Sequence, residues 1–156
     1  MTGDISITPV STPARVDDPD AADLRDIADV LTRGVAHDLG RDHLTWVASE
    51  MLPAWQDQSD HLRGVFLARR GGVTVGGLTY EGPNEPGARE LEFDVSALPN
   101  ARGEGIEAAL LERFVAAARE RGRDVLQTFS IHPVGLEGAT VAAPTGYGEI
   151  PQDAQT

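Results

Sequence analysis

One stretch constrains the fold more than any other. From Glu90 to His132 the residues read as strand, loop, helix and strand. Leu91, Phe93 and Val95 alternate with Glu90, Glu92, Asp94 and Ser96, the period-2 pattern of a half-buried strand. Pro99 and Asn100 stop that strand, because proline has no N–H to give a ladder and asparagine favours turns. The segment Arg102-Gly103-Glu104-Gly105-Ile106-Glu107 follows, and a helix begins at once. Ile106, Leu110, Phe114 and Ala117 recur at helical spacing, as do Leu111, Val115 and Ala118. Gly122 ends the helix among Arg119, Arg121 and Arg123, whose charges suit the negative end of its dipole. Val125, Leu126, Phe129 and Ile131 then make an apolar run of strand length. A strand, a crossover helix and a further strand form a βαβ-like unit, so the fold class is α/β.

The loop carries the chemistry. Glycines at a strand-to-helix junction allow a tight turn and leave backbone N–H groups uncovered. The first N–H groups of a helix have no internal partner and sit at the positive end of the dipole. Together they suit an anion, typically a phosphate.

Leu91 to Leu111, LEFDVSALPNARGEGIEAALL, resembles the cofactor motif of the GNAT acyltransferase superfamily. That motif is a strand ending in proline, then Arg-x-x-Gly-x-Gly or Ala, then an apolar helix. The resemblance implies an N-acetyltransferase that moves an acetyl group from acetyl-CoA to a primary amine by direct attack. It implies that Val95, Ser96 and Ala97 lie along the pantetheine arm. Arg102, Gly103, Glu104, Gly105, Ile106 and Glu107 would form the pyrophosphate loop. The motif's last position is glycine or alanine in the family and Glu107 here, and Glu104 lies in the same loop. Two carboxylates oppose a pyrophosphate. A like-charge pair near 4 Å costs on the order of 4 kcal/mol at an effective dielectric of 20, and less when exposed. An acid in a helix's first turn is also favourable by itself when no anion is bound. A working cofactor site and a degenerate one both fit these residues.

Earlier in the chain, Ile5, Ile7 and Val10 suggest a strand, placed at an edge by Pro9. Asp18 and Pro19 signal a helix start, and Leu24, Ile27, Ala28 and Leu31 form its stripe up to Gly34. Asp38 to Asp42 reads as a linker. Leu44, Val47, Ala48, Met51 and Leu52 give a second helix that Pro53 ends or kinks. Val65–Ala68 and Val73–Thr79 flank Gly71-Gly72 as a hairpin. The element order is β-α-α-β-β-β-α-β, and it agrees with the GNAT arrangement from about Ile5 to Ile131. After His132 the residues are rich in Gly, Pro, Ala and Thr with little periodicity. The expected division is a partial GNAT-like domain at 1–132 and a tail or connector at 133–156. The closing helix and last two strands of the family fold have no counterpart in this pattern. Three arrangements accommodate that: one half of a tandem GNAT protein similar to mycothiol synthase, strand exchange with a second copy, or a truncated relative that only binds.

Composition narrows the partners. Net charge is −12 with a pI of about 4.6, which argues against non-specific nucleic-acid binding and against an anionic membrane surface. All 13 lysine-plus-arginine positions are arginine. No cysteine is present, so disulfides, thiolate metal sites and a cysteine nucleophile are excluded. No apolar run approaches the ~18 residues of a membrane span, and a cytoplasmic location is the default expectation.

Candidate chemistry outside the loop is sparse. Glu90, Glu92 and Asp94 share one strand face near the presumed thioester, with Glu92 the candidate base; a solvated sheet face is the alternative. Tyr80 is a candidate acceptor-pocket residue, with a partly buried, hydrogen-bonded tyrosine as the alternative, and Tyr147 is a candidate general acid if the tail folds back. His37, Asp38, Asp42 and His43 match no standard metal-ligand spacing, so no metal is expected. Ser130 and His132 lack a nucleophile elbow. The resemblance also admits a second reading, a non-catalytic GNAT-like half that serves a homodimer or a second GNAT domain.

Overall fold

The computed structural model describes residues 4–40, 44–129, 140–142 and 149–151. Its main sheet takes the strands in chain order: β1 (Ile5–Pro9), β2 (His61–Arg70), β3 (Val73–Pro83), β4 (Glu90–Ala97) and β5 (Val125–Gln127). Neighbours from β1 to β4 are antiparallel, and β5 runs parallel to β4. A parallel neighbour needs a crossover, and helix α3 (Ile106–Glu120) supplies it. Helices α1 (Ala22–Leu39) and α2 (Ala48–Gln56) precede β2. The order is the expected β-α-α-β-β-β-α-β, and Pro9 sits on the edge strand where a missing N–H is tolerated.

Strand alternation sorts the core into two layers. Phe66 and Ala68 of β2 join Leu78, Leu91, Ala97 and the α3 residues Ile106, Leu110 and Phe114. Val65 and Leu67, offset by one, join Leu24, Ile27, Leu31 and Leu52 of α1 and α2. On β4 the same rule turns Leu91, Phe93 and Val95 toward α3 and leaves Glu90, Glu92, Asp94 and Ser96 facing α1.

Three local readings change. Helix α1 does not stop at Gly34. It runs to Leu39, where Gly40 caps it by donating to the Ala36 and His37 carbonyls. Gly34 is there because α1 presses on β4: a Cβ at this position would overlap the Ser96 hydroxyl. Asp38 therefore lies in the last turn of a helix, not in a linker. Asp18 makes no side-chain cap; its carbonyl accepts the Ala21 N–H at 3.0 Å across a 3₁₀ turn. Helix α2 starts only at Ala48, leaving Leu44 and Val47 exposed, and it passes through Pro53 to Gln56. The proline forfeits a single helical bond in a short helix, and the Asp57 N–H still closes on the Pro53 carbonyl at 3.1 Å.

Gly71 and Gly72 close the β2–β3 hairpin with φ of 56° and 82°. Ala68 pairs with Gly76 while Arg69 pairs with Thr74, so Val75 is an extra residue on β3. Two further short strands, β6 (Thr140–Ala142) and β7 (Glu149–Pro151), pair antiparallel with each other. Their hairpin lies in the segment whose sequence shows no period. Two tripeptide strands are too short for an alternation pattern to register.

Gly76 is where α3 docks. A Cβ there would stand 2.7 Å from Ile106 Cγ2 and 2.9 Å from the Ser96 carbonyl oxygen. The backbone oxygen cannot step aside. Gly76→Ala should therefore cost about 1–3 kcal/mol by overpacking, read as a lower urea midpoint at unchanged slope. An unchanged midpoint would mean that α3 does not rest on this strand as described.

Candidate functional site

Strand β4 pairs with β5 only through Glu90, Leu91 and Glu92, opposite Val125, Leu126 and Gln127. From there to Ala97 it keeps β3 on one side, and among the described residues nothing pairs with its other side. Backbone N–H and C=O groups on an unpaired edge are a template for an extended chain bearing amides.

The loop begins where that edge ends. The Leu98 N–H donates to the Val75 carbonyl at 2.8 Å, which anchors the end of β4 to the bulge. Pro99–Ala101 form a 3₁₀ turn, Arg102 is extended, and Gly103 and Gly105 take φ of 76° and 78°. These left-handed values are open to glycine at little cost. A Cβ at either would meet nothing within 4 Å, so the outer side of the loop is open. Ile106 is fully buried and pins the first turn of α3 to the sheet. The first α3 bond comes from the Ala109 N–H, which donates to the Gly105 carbonyl at 3.0 Å. The N–H groups of Ile106, Glu107 and Ala108 precede it, and Gly105 at the cap position has no side chain to satisfy them. Helix α3, 15 residues long, is about 22 Å at 1.5 Å per residue, so its full dipole ends at this loop.

Two of the charged loop side chains, Arg102 and Glu104, are held in ion pairs. Arg102 turns away from the loop and grips the Asp38 carboxylate through both terminal nitrogens, one of them at 3.0 Å. Its hydrogen bonds to Asp38 hold its guanidinium pKa above the usual range. Glu104 pairs with Arg70 of the β2–β3 hairpin. Glu107 is half-buried in the first turn of α3 and adds to the negative field around Arg102. Of the residues assigned to pantetheine, Val95 is half-buried toward α3, Ser96 lies beneath Gly34, and Ala97 is fully buried. All three belong to the unpaired edge.

The α1-facing side of β4 is acidic. Glu92 is exposed and sits directly across from Glu81, which Arg63 holds at 2.8 Å. Glu81, Glu90 and Glu92 line a shallow hollow of about 190 Å³ together with His61 and Gln127. Asp94 is on the same face, two positions nearer the loop. It keeps contact with solvent, yet the surrounding protein desolvates its carboxyl and raises its pKa above the ordinary 3.8. A backbone hydrogen bond at Val95 opposes that rise, and the negative charge of Asp38 adds to it. The sequence places Glu92 and Asp94 on one face but holds no sign of Asp38, because that neighbour depends on the added length of α1.

Other candidates separate from this site. Tyr80 faces the opposite side of the sheet, with its ring centroid 6.0 Å from Phe66 and 5.2 Å from Phe114; it is a core residue and no acceptor-pocket wall. Trp46 and Trp55 pack against the α1–α2 cluster. His37 lies in α1. Asp42, His43, Ser130, His132 and Tyr147 fall outside the described residues.

Residues 32–132 match the model of the acetyltransferase (GNAT) family. No match is found among curated proteins. Among solved structures, a tandem GNAT protein from the clavulanic acid biosynthesis pathway is 20% identical with a TM-score of 0.66. It covers 97% of this chain, which spans only 41% of that one. The ribosomal-protein-alanine N-acetyltransferase of Brucella melitensis is 26% identical, with a TM-score of 0.57 over 79% of this chain and 72% of its own. The Salmonella typhimurium protein yncA, solved with its cofactor acetyl-CoA, is 21% identical, with a TM-score of 0.59 over 80% of this chain and 68% of its own.

Proposed function

The chain belongs to the GNAT acetyltransferase family, and from that premise we propose that it transfers an acetyl group from acetyl-CoA to a primary amine by direct attack, without a covalent enzyme intermediate. One observation carries this reading: the unpaired edge of β4 runs straight into an open glycine loop at the start of α3. An edge with free backbone groups can pair with the amides of the pantetheine arm at Val95, Ser96 and Ala97. The Ile106, Glu107 and Ala108 N–H groups, at the positive end of the α3 dipole, can hold the pyrophosphate, with Gly103 and Gly105 allowing close approach. This chain's backbone thus orients the acyl donor, and orientation is the larger part of what such a reaction needs.

Asp94 is the base in this proposal. It must take a proton from the acceptor ammonium so that a neutral amine attacks the thioester carbonyl. A carboxylate of raised pKa accepts that proton better than an ordinary one. Glu92, the candidate from sequence, stands farther from the loop and belongs to the acidic wall over which a cationic amine approaches. Tyr147 remains a proposed acid for the departing thiolate. No helix of the described residues is long and apolar enough to cross a membrane; the cytoplasmic location is part of the proposal.

A second reading, a GNAT half without catalysis that serves a homodimer or a second GNAT domain, is favoured by the carboxylates of Glu104 and Glu107 beside the anion site. Calorimetric titration with acetyl-CoA at low salt, with mass followed by light scattering, separates the two. Saturable one-to-one binding supports the enzyme. Absence of heat, together with self-association, supports the structural half.

Glu107→Gln sharpens the test. Removing one like charge beside the pyrophosphate is worth on the order of 1 kcal/mol at an exposed site, so acetyl-CoA should bind about tenfold tighter. Stability without ligand should fall by about 0.3–1 kcal/mol, because the same carboxylate favours the helix dipole. Unchanged affinity would show that Glu107 does not face the cofactor.

A further inference from the structure

The two arginines at the hairpin tip are adjacent in sequence and end on opposite sides of the sheet. Arg69 faces α1, where it binds Asp23 at 2.6 Å and Asp26 at 3.4 Å. Arg70 has the other parity and comes out on the α3 side. It is brought to the loop by Gly76, whose missing side chain lets Ile106 settle on β3. There its guanidinium pairs with Glu104, between Gly103 and Gly105. The Arg70 side chain is 27% exposed and that of Glu104 is 37% exposed, so the pair is neither sealed nor fully in solvent. The Arg70 Nε is buried without a hydrogen-bond partner among the described residues. The loop's own arginine, Arg102, is committed to Asp38.

We propose that Arg70 is the phosphate ligand of the cofactor loop, held in reserve by Glu104 and exchanged from that carboxylate to the pyrophosphate when acetyl-CoA binds. This rests on the acetyl-CoA reading above and adds a residue from outside the loop motif. A guanidinium bound to one carboxylate oxygen can exchange it for phosphate oxygens, which its planar fork of donors matches well. Glu104 keeps the arginine at the loop mouth in the empty protein, where the net charge of −12 disfavours a polyanion. It also competes with the phosphate, so affinity is set by the exchange and not by Arg70 alone.

A plain structural ion pair predicts something different. If Arg70 only neutralises Glu104, then once Glu104 is uncharged the arginine ceases to matter. The decisive comparison is therefore Glu104→Gln against Arg70→Gln/Glu104→Gln in the full chain, titrated with acetyl-CoA by calorimetry. Thermal melting without ligand establishes that both are folded, and Arg70→Met replaces Arg70→Gln if the latter is not. Glu104→Gln should bind about tenfold tighter than wild type, since it releases Arg70 and removes a like charge. Adding Arg70→Gln should weaken binding by at least tenfold, and by as much with acetyl-dephospho-CoA, which keeps the pyrophosphate and lacks the 3′-phosphate. Equal affinities in the two variants would overturn the proposal while leaving the acetyl-CoA reading intact. A loss seen with acetyl-CoA but not with the dephospho form would overturn the assignment to the pyrophosphate. No binding by wild type or by Glu104→Gln would sink the acetyl-CoA reading, and the role of Arg70 with it.

Discussion

Phe114→Ala should remove about 3–5 kcal/mol of stability, a large share of the ~5–15 kcal/mol typical of a domain. Phe114 is fully buried at the middle of α3. Its ring centroid lies 5.2 Å from Tyr80 on β3 and 5.1 Å from Phe93 on β4, both in tilted geometry. Tyr80 in turn stacks on Phe66 of β2. One side chain therefore ties the crossover helix to the central strands, and its removal leaves a cavity that three other aromatics cannot collapse into without leaving their strands. Lost ring–ring contact adds to the lost burial. Equilibrium urea unfolding at 25 °C measures the effect as a shift of midpoint. A loss below about 1 kcal/mol would show that the site collapses easily, and that the aromatic cluster is no rigid support for the loop ahead of α3. The functional consequence follows from position. Ile106 and Phe114 lie on one buried stripe, so loosening Phe114 frees the first turn whose N–H groups form the anion site.

The β4–loop–α3 unit was legible in the sequence because its residues report the same answer at several levels. Alternation from Glu90 to Ser96, the proline stop, the paired glycines and the stripe from Ile106 to Ala117 each point to the same boundaries, and the structure places β4 and α3 within a residue or so of them. Where one residue carried conflicting signals, the reading failed. Gly34 looks like a helix end but is an interior residue kept small by Ser96, a partner 62 positions away in sequence that no local pattern encodes. For Tyr80 the sequence leaves a pocket wall and a partly buried tyrosine both open, because strand parity across β3 and β4 cannot be known until register is known. The observed pairing of Tyr80 with Phe93 puts both on the α3 side. The site's electrostatics were hidden for the same reason. Arg102–Asp38 and Arg70–Glu104 span 64 and 34 positions, and such pairs are consequences of the fold and not of any spacing rule. Arginine at the motif position thus proved compatible with a side chain turned away from the loop.

Asp94→Asn should lower kcat/KM for a primary amine by about 10²–10⁴-fold, the usual worth of a positioned general base. The assay is thiol release from acetyl-CoA across a panel of amines. Because desolvation by the surrounding protein and the charge of Asp38 raise the Asp94 carboxyl above 3.8, the wild-type rate should climb with pH through that raised value as the carboxylate forms. The variant should lose that acid limb and retain only the limb set by the amine itself. Glu92→Gln decides between the two carboxylates. If it costs the larger factor and removes the acid limb, the base is Glu92 and the role of Asp94 is electrostatic. Stability supplies an independent check with a definite sign. A carboxyl whose folded pKa is raised binds its proton more tightly folded than unfolded. Its contribution to stability is therefore greatest in acid and declines as pH rises from the unfolded value through the folded one. At neutral pH the ionised Asp94 is a liability, so Asp94→Asn should melt higher than wild type there, with the advantage fading as pH falls through the raised folded value and gone below 3.8. Gain in stability with loss of turnover is the signature of a group kept in an unfavourable place for its chemistry. Loss of both would instead mark Asp94 as a structural residue of the sheet face beneath α1.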